Sequence, residues 1–258
     1  MLESKRIVIK IGTSTLTYQT GHLNLHRIEE LVKILSDLKN SGRQIVLVSS
    51  GAVAAGAAKI GCGRPHTVEE KQAYAAIGQS ELMKIYAGFF SNYGHMVGQI
   101  LMTKDVIENP ERRHAVENTF SQLLSIGCIP IVNENDSVST AEIKFGGNDT
   151  LSAYVSIVCH ADLLINLSDV DGLFDSDPRK NPDAKLISRV ESIDDAILSI
   201  AGGAGTERGT GGMSTKLQAA KIATDKGIPM FIINGTKPQL LYDLIDGGKI
   251  GTYFVAKK

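Results

Sequence analysis

RIVIKIGTS, residues 6–14, sets Ile7, Val8, Ile9 and Ile11 around a single lysine, Lys10, and then breaks at Gly12, Thr13 and Ser14. An apolar run this short, closed by small polar residues, reads as a strand buried on both faces. Runs of the same kind recur as QIVLVS (44–49), VGQILM (97–102), IPIVN (129–133), LLINLS (163–168) and PMFIIN (229–234). Between them the spacing turns helical: over 24–41, Leu25, Ile28, Leu31, Val32, Leu35 and Leu38 share one face, and Gly42 follows as a stop. Strands alternating with helices predict an α/β fold, a three-layer αβα sandwich around a mostly parallel open sheet. Parallel neighbours need crossovers, and the crossovers are helices. Ligands of such sheets lie beyond the carboxyl ends of the strands. The residues found there are GTS after 6–11, SGA after 44–49, ENDS after 129–133 and DVDG after 163–168, all small, polar or acidic.

Composition supports one large core and names no partner. Of 258 residues, 43% are hydrophobic, 21% charged and 5% aromatic, which suits aliphatic packing between helices and a sheet. Without a repeat or a Pro/Gly/Ser linker, residues 1–258 read as one domain. The formal charge of −1 offers no bulk attraction to nucleic acid, so an anionic ligand must be met by local lysines or backbone amides. Cys62, Cys128 and Cys159 form no C-x-x-C pair and read as buried free thiols of a reducing, cytoplasmic compartment. The start MLESKRIVIK lacks a signal peptide's apolar stretch, and no run approaches the roughly 20 apolar residues that span a bilayer. The six histidines show no metal spacing, and no residue is assigned as a metal ligand.

Lys10 interrupts an apolar strand, where an ammonium needs a partner; it either reaches solvent at a sheet edge or is aimed at an anion. GTGGMSTK, residues 209–216, opens a helix carried on by Leu217, Ala220 and Ala223, with Ser214 and Thr215 placed to satisfy first-turn donors. Its glycines let backbone approach a phosphate, and Lys216 adds charge; a flexible surface loop is the competing reading. Neither the Walker pattern nor G-x-G-x-x-G occurs in the chain. NENDSV (133–138) and GGND (146–149) gather carboxylates and amides, joined through TAEIKF, which alternates like one arm of a hairpin. Turn chemistry alone explains such residues in many loops, yet Asp136 is placed to hold an ammonium group and Asp149 to orient the lysines. DVDGLFDSDPRKNPDAK (169–185) is acidic, but its Gly172 comes too early for a calcium loop.

Taken in order, IVIKIGTS, VLVSSGAVAAG, INENDSV, FGGNDTLSA, NLSDVDGLFDSDPRKNP and GTGGMSTKLQAA resemble the amino-acid kinase family over essentially the whole chain. The resemblance implies ATP-dependent phosphorylation of L-glutamate at its γ-carboxylate, the opening step of proline synthesis, with Mg²⁺ on the nucleotide. It assigns ATP contacts to Lys10, Ser168, Asp169, Thr210, Gly211, Gly212, Met213, Ser214, Thr215 and Lys216. It assigns glutamate contacts to Ser50, Asn133, Asp136 and Asn148. Lys10 and Lys216 would flank the transferring phosphoryl group, with Asp149 holding both. It also implies feedback inhibition by proline and a homodimer or homotetramer. Two departures accompany it: many relatives carry Asp where this chain has Gly147, and many continue into a C-terminal PUA domain beyond the position of Lys258. Other small-acid or nucleotide kinases of the same fold, and a sensor module without turnover, are the alternatives.

Overall fold

Every apolar run singled out above is a strand. The computed structural model describes residues 3–139, 145–178, 180–200 and 212–257. Its first half runs β1 (Arg6–Ile11), α1 (Thr13–Leu16), α2 (Leu25–Asn40), β2 (Gln44–Ser49), α3 (Ala52–Ile60), α4 (Val68–Ser91), β3 (Val97–Met102), α5 (Lys104–Glu108) and α6 (Pro110–Ser125). The second half runs β4 (Ile129–Glu134), α7 (Asn148–Val158), β5 (Leu163–Ser168), β6 (Arg189–Val190), α8 (Asp195–Ile200), α9 (Met213–Thr224), β7 (Met230–Asn234), α10 (Leu240–Ile245) and β8 (Thr252–Phe254). The strands form one sheet in the order β3-β4-β2-β1-β5-β7-β8-β6. All pairings are parallel except β7 with β8.

The alternation of side chains along each strand divides the core in two. Ile7, Ile9 and Ile11 of β1 pack with Ile45, Leu47, Ile165 and Leu167 beneath α2, α4 and α10. Val8 joins Val46, Val48 and Leu164 on the opposite face, beneath α6, α7 and α9. This is the three-layer arrangement, and it puts β1 in the middle of the sheet. Lys10 is therefore not an edge lysine: it is 5% exposed and leaves β1 on the Val8 face.

The sequence reading missed β6 and β8, strands of two and three residues too short to show a period. Cys128 and Cys159 are buried as expected, but Cys62 is exposed, because it follows the end of α3 rather than lying within an element. Of the expected hairpin arm, residues 140–144 lie outside those described, as do 201–211 of the glycine-rich stretch. No helix among the described residues is long and apolar enough to cross a membrane.

One close approach fixes the helices beside the strand ends. A Cβ on Gly78 of α4 would lie 1.8 Å from the Ala52 carbonyl oxygen, and one on Gly56 of α3 would lie 1.9 Å from the Tyr74 oxygen. The backbones of α3 and α4 thus touch, and only glycine permits it. Gly88, on the same helix, has nothing within 4 Å. Gly78→Ala is expected to lower unfolding free energy by about 1–3 kcal/mol through overpacking. Gly88→Ala is expected to raise it by about 0.5–1 kcal/mol, both read from parallel urea melts.

Candidate active site

Lys10 of β1 and Asn166 of β5 are register partners, so their side chains leave one face of the sheet together, below the first turn of α7. There Asp149, 2% exposed, collects four donors. Its Oδ1 accepts from Lys10 Nζ at 2.6 Å and Asn166 Nδ2 at 2.8 Å. Its Oδ2 accepts from Lys216 Nζ at 3.2 Å and Thr215 Oγ1 at 2.7 Å. Two lysines 206 positions apart in sequence, 216 less 10, thus meet on opposite oxygens of one carboxylate. Burial by itself would raise the Asp149 carboxyl, but Lys10 and Lys216 outweigh it and hold it well below the usual carboxylate range. Burial also pulls Lys10 down from its ordinary value, against the pull of Asp149. Because Asp149 is shared, neither ammonium takes a whole counter-charge from it, and a phosphate oxyanion is attracted to both.

One residue before this hub begins a chain of amides. Asn148 Nδ2 donates to Ser50 Oγ and to Asn133 Oδ1, each at 2.8 Å, and Asn133 Nδ2 donates onward to Gln79 Oε1 at 2.9 Å. Asn148 Oδ1 is buried with no partner among the described residues, although Asn148 lines the neighbouring cleft. A bound donor would satisfy it. Asp136, just beyond β4, lines the same cleft and pairs with Lys71 Nζ of α4 at 3.4 Å.

Three adjoining cavities follow the strand ends. The large one is lined by Ser50, Asn133, Asp136, Gly147, Asn148 and Asp169. A small one holds Lys10, Gly12, Asp149 and Lys216. The third is lined by Ser168, Leu173, Phe174, Gly212, Met213 and Lys216. Asp169 borders all three and marks where they meet. Helices α3, α7 and α9 open on this region from Gly51, Gly147 and Gly212, none of which supplies a side-chain cap. In contrast α2, α4 and α6 are capped by the side chains of Asn24, Thr67 and Asn109, which line none of these cavities. Open helix N-termini offer amide donors and positive potential to an anion. Gly51 and Gly147 have φ of 107° and 121°, conformations that favour glycine. An aspartate at 147 would therefore strain the backbone, even though a Cβ there meets open space.

The structure brings together Lys10, Asp149, Thr215 and Lys216, and separately Ser50, Asn133 and Asn148. Ser168 and Asp169 stand between the cavities, and Ser168 Oγ donates to Asp169 Oδ1 at 3.3 Å. Thr210 and Gly211 lie outside the described residues. Ser214 is exposed, and the expected capping by Ser214 or Thr215 is corrected: the N-cap of α9 is Gly212, and the Thr215 hydroxyl, instead of accepting from a first-turn N–H, donates to the Asp149 carboxylate. Asn166, Gln79 and Lys71 were missed. Asn166 had a signal of the same kind as Lys10, a polar residue inside an apolar strand; Gln79 and Lys71, on α4, had none. No group of three potential metal ligands occurs among the described residues.

Open amide ends and clustered lysines at the carboxyl edge of a parallel sheet define an anion-binding α/β protein. The chain belongs to the amino acid kinase family, whose model matches residues 5–234. It is 54% identical to a glutamate 5-kinase of Clostridium perfringens, over 99% of this chain and 97% of the relative. It is 49% identical to one from Listeria monocytogenes, over 99% and 94%. Among solved structures, UMP kinase from Bacillus anthracis superposes with a TM-score of 0.66 at 19% identity, over 99% of this chain and 97% of that one. The isopentenyl phosphate kinase of T. acidophilum gives 0.66 at 16%, over 96% and 99%. These two share the fold.

Asp149→Asn leaves two buried ammonium groups without their carboxylate, and is expected to cost about 3–5 kcal/mol in urea melts near neutral pH. Because the folded carboxyl sits below its unfolded value, its contribution is complete above an unfolded pKa of about 3.9 and is lost as pH falls through the folded one. The gap between wild type and variant should narrow as pH falls below about 4. A gap unchanged in acid would contradict the assigned shift.

Proposed function

We propose that the chain transfers the γ-phosphoryl group of ATP to the γ-carboxylate of L-glutamate, giving ADP and L-glutamyl 5-phosphate, the first committed step toward proline. The observation that carries this reading is the placement of Lys10 and Lys216 on the two oxygens of Asp149, between an amide-lined cleft and an apolar-walled cavity. The name shared by the Clostridium and Listeria relatives supports the acceptor.

Glutamate's γ-carboxyl, with an ordinary pKa of about 4.3, is already an anion near neutrality and needs no base. One of its oxygens attacks Pγ in line, the bond from Pγ to the β–γ bridging oxygen breaks, and ADP carries that oxygen away. The obstacle is charge, so the work of the protein is positioning and electrostatic stabilisation. Lys10 and Lys216 receive the transferring oxygens, Asp149 fixes their separation, and the open end of α9 meets the phosphates. Leu173, Phe174 and Met213 give the nucleotide base an apolar wall. Mg²⁺ bound with the nucleotide would be held chiefly by the phosphates and would neutralise part of their charge. Ser50, Asn133 and Asn148 orient the acid, and Asp136 takes its α-ammonium. An N-acetylated substrate would leave that carboxylate without its cation. Proline carries the same α-ammonium and α-carboxylate and competes there. The catalytic unit is a single domain over 1–258, working as a homodimer or homotetramer in the cytoplasm, where three unpaired cysteines are at home.

ADP release and hydroxamate formation are expected with glutamate, and not with aspartate, acetylglutamate or UMP offered in turn. Lys216→Ala should lower kcat by about 100-fold or more, as loss of one transition-state donor does; near-normal turnover would refute its role. Asp136→Ala should raise the glutamate KM far more than the ATP KM, and equal rises would place Asp136 elsewhere.

A further inference from the structure

A free amino acid brings two opposite charges on one carbon, about a hydrogen bond's length apart. A site that selects it needs both an anion and a cation at that spacing. Asp136 supplies the first. Lys71 Nζ lies 3.4 Å from Asp136 Oδ1, and both side chains line the cleft that holds Ser50, Asn133 and Asn148. No other cation among the described residues pairs with Asp136. Resting on the reading of Asp136 as the ammonium site, we propose that Lys71 is a specificity-determining residue that binds the substrate's α-carboxylate, by exchanging partners with the incoming zwitterion.

Before binding, Asp136 and Lys71 neutralise each other. On binding, the pair opens: Asp136 takes the α-ammonium, Lys71 takes the α-carboxylate, and four charges alternate. Opening the pair is easy because Lys71 is 39% exposed and Asp136 17%, and ion pairs reached by water contribute little. A ligand with only one of the two charges cannot make the exchange, because it leaves either Asp136 or Lys71 facing the cleft alone.

The surroundings suit a side chain that swings from a fixed base. Lys71 sits in the first turn of α4, where its backbone N–H donates to the Thr67 carbonyl. Thr67 and Glu70 close a capping box around that turn. Gly78 locks the helix to α3, whose N-terminus begins at Gly51 beside Ser50. Backbone motion is thus restricted while the exposed butylammonium arm is not. Gln72, next along α4, donates to the Ser139 carbonyl and ties the helix to the segment after Asp136.

The test compares L-glutamate with L-isoglutamine, which keeps the α-ammonium and γ-carboxylate but carries a neutral carboxamide in place of the α-carboxylate. Calorimetric Kd values are measured for both with wild type, Lys71→Met and Lys71→Arg, alongside kcat and KM for glutamate. Wild type should prefer glutamate by about tenfold or more, as a site built around a charged group does. Lys71→Met should weaken glutamate by a similar factor yet change isoglutamine less than about threefold, with the loss in KM rather than kcat. Lys71→Arg should recover most of the preference. If Lys71→Met weakens both ligands alike, Lys71 serves only to hold Asp136, and the proposal fails. It fails equally if neither ligand is affected, or if wild type does not distinguish them. Should wild type bind glutamate but form no acyl phosphate, the kinase reading is lost, while the Kd comparison still decides the role of Lys71.

Discussion

A buried carboxylate shared by two ammonium groups organises this molecule. Asp149 cannot be left unpaired in the interior, and neither can Lys10 or Lys216. The three must therefore meet, and for them to meet, β1, α7 and α9 must hold their relative places. Asn166 and Thr215 complete the arrangement by donating to the same two oxygens. The central position of β1 follows a similar logic, since a lysine there is tolerable only if a helix on that face brings an acid above it. What stabilises the sheet is ordinary aliphatic burial. What makes the sheet's end chemically distinctive is this one group of charges.

Much of this was legible in the sequence because it depended on short-range pattern. β1, β2, β3 and β5 begin and end where their apolar runs do, and Lys10 announced itself by interrupting one of them. Asp149 and Lys216 stood in stretches too rich in glycine and amide for packing alone. The remainder depended on long-range geometry. Arg189–Val190 and Thr252–Phe254 form strands only because a neighbouring strand is there to pair with them. Thr215 read as a cap because the sequence cannot show a carboxylate 66 residues away. Lys71 carried no signal, since a lysine in a charged first turn looks like a solvated surface residue until the fold sets it beside Asp136.

The amide chain from Gln79 through Asn133 and Asn148 to Ser50 joins α4, β4, α7 and the turn after β2 beside the large cleft. Each link satisfies one buried polar group with another, so that the shape of the cleft is set before any ligand arrives. The backbone contact between α3 and α4 plays the corresponding role for the helices, fixing Gln79 and the base of Lys71 relative to Ser50. Rigid backbone beneath an exposed lysine arm is what the partner exchange proposed for Lys71 requires.

The glycine starts of α3, α7 and α9 carry a further consequence, for the lifetime of the protein. Helix ends without side-chain caps leave amide donors unsatisfied in the empty fold, and at 51 and 147, where φ is positive, a capping serine or aspartate would strain the backbone. Ligand then supplies what sequence withholds, and couples to unfolding by mass action: at a hundred times its Kd a bound molecule adds about 2.7 kcal/mol. Whatever ligand seats on those open amides thus also lowers the share of copies that are unfolded and exposed to proteolysis.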